Sequence, residues 1–261
     1  FSCRNLSVGA YQNPYFDIVI GIFMLLFGVN FNLYYFLLIR RFRDVFHSEE
    51  LRSYLLIVAA AVVAITVDIA HLYDSVSTSL CHAFFQVSSI ITTTGYATTD
   101  FNAWPTFSKG ILVVLMFIGA CAGSTGGAIK CSRVLLLLRA IRREIRQIIH
   151  PRSVNVVKLD GRVVDEKDLR STMIFFAAYM FITLAAILLV SVDNFSFGTT
   201  FTAVVTCIGN VGPGLEMVGP MGNFSAFSGF SKIVLSMCMI LGRLEIIPVL
   251  VLFSGTAWKK S

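Results

Sequence analysis

Long runs of hydrophobic residues alternate with short polar or basic stretches along the whole chain. A helix of about 20 apolar residues crosses the hydrocarbon core of a bilayer. Runs that reach this length lie at 15–39, 53–73, 171–192 and 230–253. A further apolar segment, 108–147, is interrupted at 119–127, where small and polar residues replace the large apolar ones. The pattern predicts an all-α membrane protein in which one span is broken.

Two other apolar stretches, 78–91 and 198–207, are too short to cross the membrane and predict re-entrant helices. Each is followed by a glycine-containing turn, Thr-Thr-Thr-Gly-Tyr or Ile-Gly-Asn-Val-Gly-Pro-Gly. The order of span, short helix, turn and span therefore occurs twice, which is an internal repeat. The predicted division is the closing helix of an earlier unit (1–50), a unit with a broken second helix (51–150), a linker (151–170) and a last unit (171–261). The turn of the earlier unit is expected before Phe1.

The two turns carry the candidate chemistry. Irregular backbone is tolerated at membrane depth only where it is buried in protein or lines water. Potassium filters replace the hydration shell of the ion with backbone carbonyl groups. Glycine permits the unusual backbone angles of such a turn, and the C-terminal dipole end of a short helix favours a cation. Aligning Gly95 with Gly209 pairs Thr93 with Cys207, and Thr94 with Ile208.

We therefore predict a cation filter formed by the carbonyl groups of both turns. Either turn alone is an ordinary loop sequence, and it is the repetition between spans that favours a filter. The predicted filter residues are Thr92, Thr93, Thr94, Gly95, Tyr96, Cys207, Ile208, Gly209, Asn210 and Val211. K⁺ is expected at Thr93, Thr94, Gly95, Cys207, Ile208 and Gly209.

Composition and charge agree with a membrane location and predict the topology. Only 14% of the residues are charged and the mean hydropathy is +0.78, whereas about a quarter of a soluble domain is charged. Most lysines and arginines cluster at 40–52, at 130–170 and at the end of the chain. The positive-inside rule places these clusters in the cytoplasm, which puts the filter turns on the outer side. Because membrane topology accounts for the basic clusters, nucleic acid is not an expected partner.

Asp160-Gly161 between two β-prone runs predicts a small cytoplasmic β-hairpin.

Four strings carry a resemblance to a known family: 85–96, 119–130, 143–159 and 242–245. The chain resembles the Trk/Ktr/HKT superfamily of potassium transporters, and 143–159 is most similar to the bacterial Trk type. The resemblance implies repeated units around a pseudo-fourfold pore, four in all, of which this chain has the end of the second and all of the third and fourth. It also implies a homodimer, a cytoplasmic nucleotide-binding regulatory ring as partner, and the bacterial inner membrane as location.

The broken segment is, by the same resemblance, an intramembrane loop that gates the pore below the filter. A break in an apolar helix frees backbone groups that need water or protein partners, which supports this role; a glycine-rich packing surface is the alternative. Ala120 and Ala128 stand where the family usually has glycine, and we expect them to stiffen the loop. The predicted gate residues are Gly119, Gly123, Ser124, Thr125, Gly126, Gly127, Lys130 and Arg243.

Arg243 is a functional candidate because ionisable residues are rare inside membrane spans. It lies nearly as far beyond its turn as Lys130 does beyond the other turn, so both cations are expected at similar depth. Arg243 is interpreted as an electrostatic barrier or as a latch on the loop. The alternative is a structural pair with Glu245 or with carbonyl groups.

Four other charged or titratable residues lie near the outer side. Asp68 and His71 are predicted to cap structure rather than to bind ions. Asp100 and Glu216 follow the two turns, and they either raise the cation concentration at the mouth or are ordinary solvated charges.

The predicted function is potassium-selective ion translocation, passive or gated, with K⁺ as the transported ion and no organic cofactor. A Na⁺-permeable transporter, or one that couples K⁺ to Na⁺ or H⁺, is the alternative within the same fold. An intramembrane enzyme using Ser124, His71 and Asp68 is a second alternative, and a purely structural membrane subunit is a third.

Overall fold

The computed structural model describes residues 6–151 and 155–244, which are mostly helical. The helices are α1 (Pro14–Phe27), α2 (Phe31–Leu38), α3 (Phe42–His47), α4 (Glu49–Ile69), α5 (Val76–Ile91), α6 (Thr106–Phe117), α7 (Cys131–Ile149), α8 (Glu166–Val190), α9 (Phe197–Gly209) and α10 (Gly229–Arg243). Two short strands, β1 (Lys158–Leu159) and β2 (Arg162–Val163), form a hairpin.

Within the described residues, two helices are long and apolar enough to cross a membrane, and both were predicted. They are α4 and α8, each extended by a short 3₁₀ turn to give Glu49–Leu72 and Glu166–Asp193. Each begins at a side-chain cap, Ser48 for α4 and Asp165 for α8, which supplies a partner for an otherwise free N–H group of the first turn. Each is followed by a short helix, α5 after α4 and α9 after α8, as the sequence predicted.

The first predicted span is wrong as one continuous helix, because α1 and α2 meet at an angle of 92°. The break at 28–30 is stabilised by partners for its backbone groups. The Asn30 side chain accepts a hydrogen bond from the Asn32 N–H and caps α2. The Gly28 carbonyl accepts one from the Cys121 N–H at 3.0 Å, so the interrupted segment after α6 docks into the bend.

The two predicted repeats have the same packing. In one, α4, α5 and α6 enclose a buried core, and in the other α8, α9 and α10 enclose a second core. Phe117 on α6 and Phe201 on α9 contact both cores and each other, with ring centroids 6.3 Å apart. The last predicted span is helical from Gly229 to Arg243, and its continuation lies outside the described residues.

The predicted hairpin is present, with Lys158 opposite Val163 and Leu159 opposite Arg162. Asp160 and Gly161 both have positive φ, as a two-residue hairpin turn of this type requires. The hairpin docks on the start of α4, where the Asp160 carboxylate accepts from the Glu49 N–H at 2.6 Å and the Asp160 N–H donates to the Glu49 carboxylate at 2.8 Å.

Candidate ion pathway

The short helix α5 ends in a Schellman motif, a left-handed residue flanked by two defined backbone hydrogen bonds. The Thr93 N–H donates to the Ile90 carbonyl at 3.0 Å, and the Thr94 N–H donates to the Ser89 carbonyl at 2.9 Å. Thr93 itself has a φ of 54°. This motif reverses the chain and begins the first candidate filter turn.

The short helix α9 ends in the same motif. The Asn210 N–H donates to the Cys207 carbonyl at 3.2 Å, and the Val211 N–H donates to the Thr206 carbonyl at 2.9 Å. Asn210 has a φ of 56°. Asn210 is therefore the counterpart of Thr93, because the backbone hydrogen bonds and the positive φ are the same at both helix ends.

The predicted alignment of Gly95 with Gly209 is consequently wrong by three residues, since the shared motif aligns Gly95 with Gly212. Both of these glycines have positive φ, 77° and 121°. A side-chain contact gives the same alignment. Ser89 Oγ donates to the Tyr96 carbonyl at 2.6 Å, and its counterpart Thr206 Oγ1 donates to the Pro213 carbonyl at 3.1 Å.

The corrected alignment changes the second set of candidate filter residues. Cys207, Ile208 and Gly209 lie within α9, and their carbonyls already have partners. The Cys207 carbonyl accepts from Asn210, and that of Gly209 accepts from the Ala128 N–H at 3.0 Å. The Ile208 carbonyl lies 3.5 Å from the side-chain nitrogen of Asn210. Their carbonyl groups therefore already accept hydrogen bonds, which argues against K⁺ at these three residues.

Three successive carbonyl groups in each turn are free of hydrogen bonds from the residues that the structure describes. They belong to Thr93, Thr94 and Gly95 in the first turn, and to Asn210, Val211 and Gly212 in the second. Gly95 and Gly212 line one cavity of about 610 Å³. The C-terminal ends of α5 and α9 therefore present unbonded carbonyl groups beside a shared cavity, as a cation site requires.

The interrupted segment between α6 and α7, residues 118–130, forms a loop that closes on itself and contacts both turns. Its two arms are joined by the Gly119 N–H, which donates to the Ile129 carbonyl at 2.8 Å. At its tip, the Gly127 N–H donates to Thr93 Oγ1 at 2.7 Å, and the neighbouring Ala128 N–H donates to the Gly209 carbonyl. Because this segment is the predicted gate, we call it the gating loop.

Close packing explains the small residues of the gating loop. A Cβ atom on Gly126 would lie 2.9 Å from the Ala120 Cβ, and one on Gly127 would collide with the Gly209 carbonyl. Ala128 has a φ of 53°, a conformation that costs alanine more than glycine. Ser124 is folded back onto its own loop, with Oγ donating to the Cys121 carbonyl at 2.6 Å.

Both predicted gate cations contact the gating loop. Arg243 Nη1 donates to the Thr125 carbonyl at 3.0 Å, and Lys130 Nζ donates to the Gly126 carbonyl. Both side chains line a second cavity, of about 370 Å³, together with the loop. The Arg243 contact agrees with the latch interpretation and with the structural pairing to carbonyls, and Glu245 lies outside the described residues.

A buried carboxylate that the sequence analysis missed holds the base of the gating loop. Glu50, in the first turn of α4, is only 7% exposed. Its Oε1 accepts from the Ala122 N–H at 2.7 Å and from the Ser132 N–H at 3.0 Å. Ala122 lies within the first arm of the loop, and Ser132 lies just after the second arm, in the first turn of α7. A glutamate so close to a helix start resembles an ordinary solvated charge, so the sequence alone offers only the pair Glu49-Glu50 as a signal.

The charged residues near the turns serve as caps. Asp68 accepts hydrogen bonds from the Ser108 N–H and hydroxyl at 3.1 and 2.5 Å, next to the start of α6. Asp100 caps the 3₁₀ turn at Phe101–Ala103. Glu216 accepts from Ser196 and Thr199 at the start of α9, and these hydrogen bonds hold the pKa of its carboxyl below the ordinary value. His71 lies in the 3₁₀ turn after α4.

The fold and the site define a multi-pass helical membrane protein with paired short helices whose C-terminal turns share a cavity. Residues 1–260 match the family described as TrkH, cation transport protein. The chain belongs to this family, which is a family of transporters and not of enzymes.

Individual relatives agree with this assignment. The chain is 38% identical to the Trk system potassium uptake protein TrkH of Salmonella typhimurium, over all of this chain and 54% of the relative. It is 36% identical to the Trk system potassium uptake protein TrkG of Escherichia coli, over 99% of this chain and 53% of the relative. The crystal structure of the potassium transporter TrkH from Vibrio parahaemolyticus superposes with a TM-score of 0.90 at 30% identity, covering 99% of this chain and 56% of that one. The chain spans about half the length of the relatives it matches.

Proposed function

We propose that this chain forms part of a potassium-selective pore in which the two turns supply backbone carbonyls to the ion. The observation that carries the proposal is the pair of matched helix ends, each followed by three unbonded carbonyl groups, with Gly95 and Gly212 on one cavity. Membership of a cation transport family and the potassium uptake described for the relatives support it. The filter residues are Thr92 to Tyr96 in the first turn and Asn210 to Pro213 in the second.

The gating loop closes the pathway on the far side of the turns. Its tip is bonded to Thr93 and Gly209, its base to Glu50, and one carbonyl to Arg243. Opening requires these contacts to break, because the loop lies directly against the backbone of both turns. The four-unit pore, the outer position of the turns and the cytoplasmic position of the basic segments complete the proposal, together with a bacterial inner membrane location.

The homodimer and a cytoplasmic nucleotide-binding regulatory ring are proposed as partners from the family resemblance. A regulatory ring would act on the gating loop from the side of the hairpin, since Asp160 contacts Glu49 and the next residue, Glu50, holds the loop. Co-purification of the full-length protein with such a ring, and loss of that complex on deletion of the hairpin, would support this part of the proposal.

The decisive experiment is ion flux through the full-length protein reconstituted in liposomes. Uptake of radioactive Rb⁺ into K⁺-loaded vesicles is measured alone, and then with excess external K⁺ or Na⁺. The proposal expects uptake that K⁺ suppresses and Na⁺ does not. Equal suppression by Na⁺ would favour the Na⁺-permeable alternative, and uptake only with a Na⁺ or H⁺ gradient would favour coupling. No uptake by folded protein that has been incorporated into the liposomes would favour a structural subunit.

A further inference from the structure

Helix α7 carries an arginine-rich face that the ion pathway does not use. Arg139, Arg142, Arg143 and Arg146 follow the spacing that places residues on one side of a helix. With the hairpin segment from Asn155 to Lys158, they line a cleft of about 270 Å³. We call this cleft the arginine cleft.

The arginine cleft has more positive than negative charge. Arg139 pairs with Glu49 at 2.8 Å, and Arg143 pairs with Glu144 and Glu166. The side chains of Arg142, Arg146 and Lys158 make no hydrogen bond or ion pair to any residue in 6–151 or 155–244. None of the described residues that line the cleft is acidic. Cations that converge on one cleft repel one another unless an anion lies between them, and guanidinium groups bind phosphate through paired hydrogen bonds.

The ion pairs place the arginine cleft at the membrane boundary. Glu49 and Glu166, the partners of Arg139 and Arg143, are the first residues of the two helices that can cross the membrane. Side chains held to both positions lie where the hydrocarbon core ends and the lipid head groups begin. Under the proposed topology this is the cytoplasmic leaflet, whose anionic lipids attract basic residues next to spans.

An apolar stripe runs along the same helix. Leu138, Ile141, Ile145 and Ile148 are each more than half exposed and follow helical spacing beside the arginines. A helix with one basic and one apolar face is typical of segments that lie in the membrane interface. A free phosphate ion would satisfy the arginines and leave this stripe uncovered, whereas a phospholipid occupies both faces.

We propose that the arginine cleft binds the phosphate of an anionic phospholipid, with Arg142 and Arg146 as the principal ligands and the acyl chains along the apolar stripe. The proposal rests on the position of the chain in a membrane and not on potassium translocation.

The test is lipid retention by the full-length protein, measured by native mass spectrometry from an equal mixture of phosphatidylglycerol and phosphatidylcholine. Because each basic residue near the surface contributes roughly a fivefold factor, R142Q/R146Q is expected to lower phosphatidylglycerol retention by about 10–30-fold. The control R41Q/R43Q removes the same charge at the start of α3, outside the arginine cleft, and is expected to lower retention clearly less than R142Q/R146Q does. R142K/R146K, which keeps the charge and loses the paired geometry, is expected to fall between wild type and R142Q/R146Q.

Three results would overturn the proposal. Equal losses in R142Q/R146Q and R41Q/R43Q would mean a diffuse charge effect without a site. Displacement of the lipid by millimolar inorganic phosphate would identify a site for free phosphate. Unchanged retention in folded R142Q/R146Q, with loss of a protein partner instead, would identify the cleft as a protein-docking surface. Flux is not part of the readout, so the lipid site and the pore succeed or fail separately.

Discussion

Thr93 is held in a backbone conformation that a β-branched residue seldom adopts. Left-handed φ values cost such a residue about 1–2 kcal/mol, and Thr93 has a φ of 54°. Two helix-end hydrogen bonds fix its backbone, and its hydroxyl accepts from the Gly127 N–H at 2.7 Å. Strain at this position is therefore stored where the filter turn meets the gating loop.

Replacing Thr93 by valine keeps the branched shape and removes the acceptor. The Gly127 N–H then loses its partner, which costs about 1–3 kcal/mol, so the closed position of the gating loop is less stable. We expect T93V to raise resting Rb⁺ uptake in liposomes by at least about fivefold. T183V is the matched control, because Thr183 is buried in α8 and bonds only to its own helix. Resting uptake equal to wild type would contradict the role of this contact.

Ala128 also has a positive φ, 53°, and here glycine is the better residue. Glycine removes a left-handed penalty of about 1–2 kcal/mol and adds an unfolded-state entropy cost of about 0.5–1 kcal/mol. We expect A128G to leave the thermal midpoint in detergent unchanged or slightly raised. The control A61G, in the buried face of α4, is expected to lose about 1 kcal/mol. A marked loss of stability in A128G would show that the alanine methyl group matters more than the backbone strain.

At the scale of the elements, the sequence was informative where apolar length or turn chemistry decides the structure. The apolar runs predicted α4 and α8, since length alone distinguishes a span from the short helices α5 and α9. Asp160-Gly161 predicted the hairpin because both residues accept positive φ. These features depend on neighbours in the chain.

Other features depend on tertiary contacts and were not predictable. The bend at 28–30 carries Gly28 and the capping Asn30, but its size depends on contacts with the distant Cys121 and Gly123. The second turn has glycine at both 209 and 212, and only the hydrogen bonds reveal where α9 ends. Glu50 is recognisable only once the amides of the gating loop are known to surround it.

Glu50 ties the gating loop to two helices through hydrogen bonds from Ala122 and Ser132. E50A leaves both half-buried amides without their partner, at a cost of up to about 1–3 kcal/mol each. We expect E50A to raise resting Rb⁺ uptake and to lower the thermal midpoint, and E50Q to recover part of both losses because its carbonyl oxygen still accepts. E144Q is the control, since among the described residues Glu144 pairs only with the adjacent Arg143, on the surface. The anchoring role is wrong if E50A folds and stays closed.

Arg243 links α10 to the gating loop through the Thr125 carbonyl. R243A removes this link and a positive charge from the pathway, so we expect conductance per reconstituted protein to rise several-fold. R243K separates the two effects, because it keeps the charge and loses the reach of the guanidinium group. A latch predicts that R243K behaves like R243A, and a barrier predicts that it behaves like wild type. Lower flux in R243A at equal protein would contradict both.

At the scale of the whole molecule, the gating loop joins the two repeats. Its neighbouring residues Gly127 and Ala128 bond to Thr93 of one repeat and to Gly209 of the other. The ends of α5 and α9 are therefore fixed relative to one another through two adjacent peptide groups. A displacement of the loop tip must release both helix ends together, so in the proposed pore the geometry of the filter and the state of the gate are coupled.

Because the two turns share one motif and one cavity, Gly95 and Gly212 should contribute equally to selectivity, and Gly209 should not. Serine at 95 or 212 strains a positive-φ position and rotates the carbonyls beside the ion. We expect G95S and G212S each to lower the K⁺ over Na⁺ preference of flux about tenfold, or about 1.4 kcal/mol.

G209S instead pushes a Cβ atom to 2.9 Å from the Met116 carbonyl. It should therefore lower the yield of folded protein, and the G209S protein that does fold should keep the K⁺ over Na⁺ preference of wild type. G110S, whose new side chain meets open space, controls for serine itself. If G209S lost selectivity while G212S kept it, the alignment of the turns by their hydrogen bonds would not describe the conducting state.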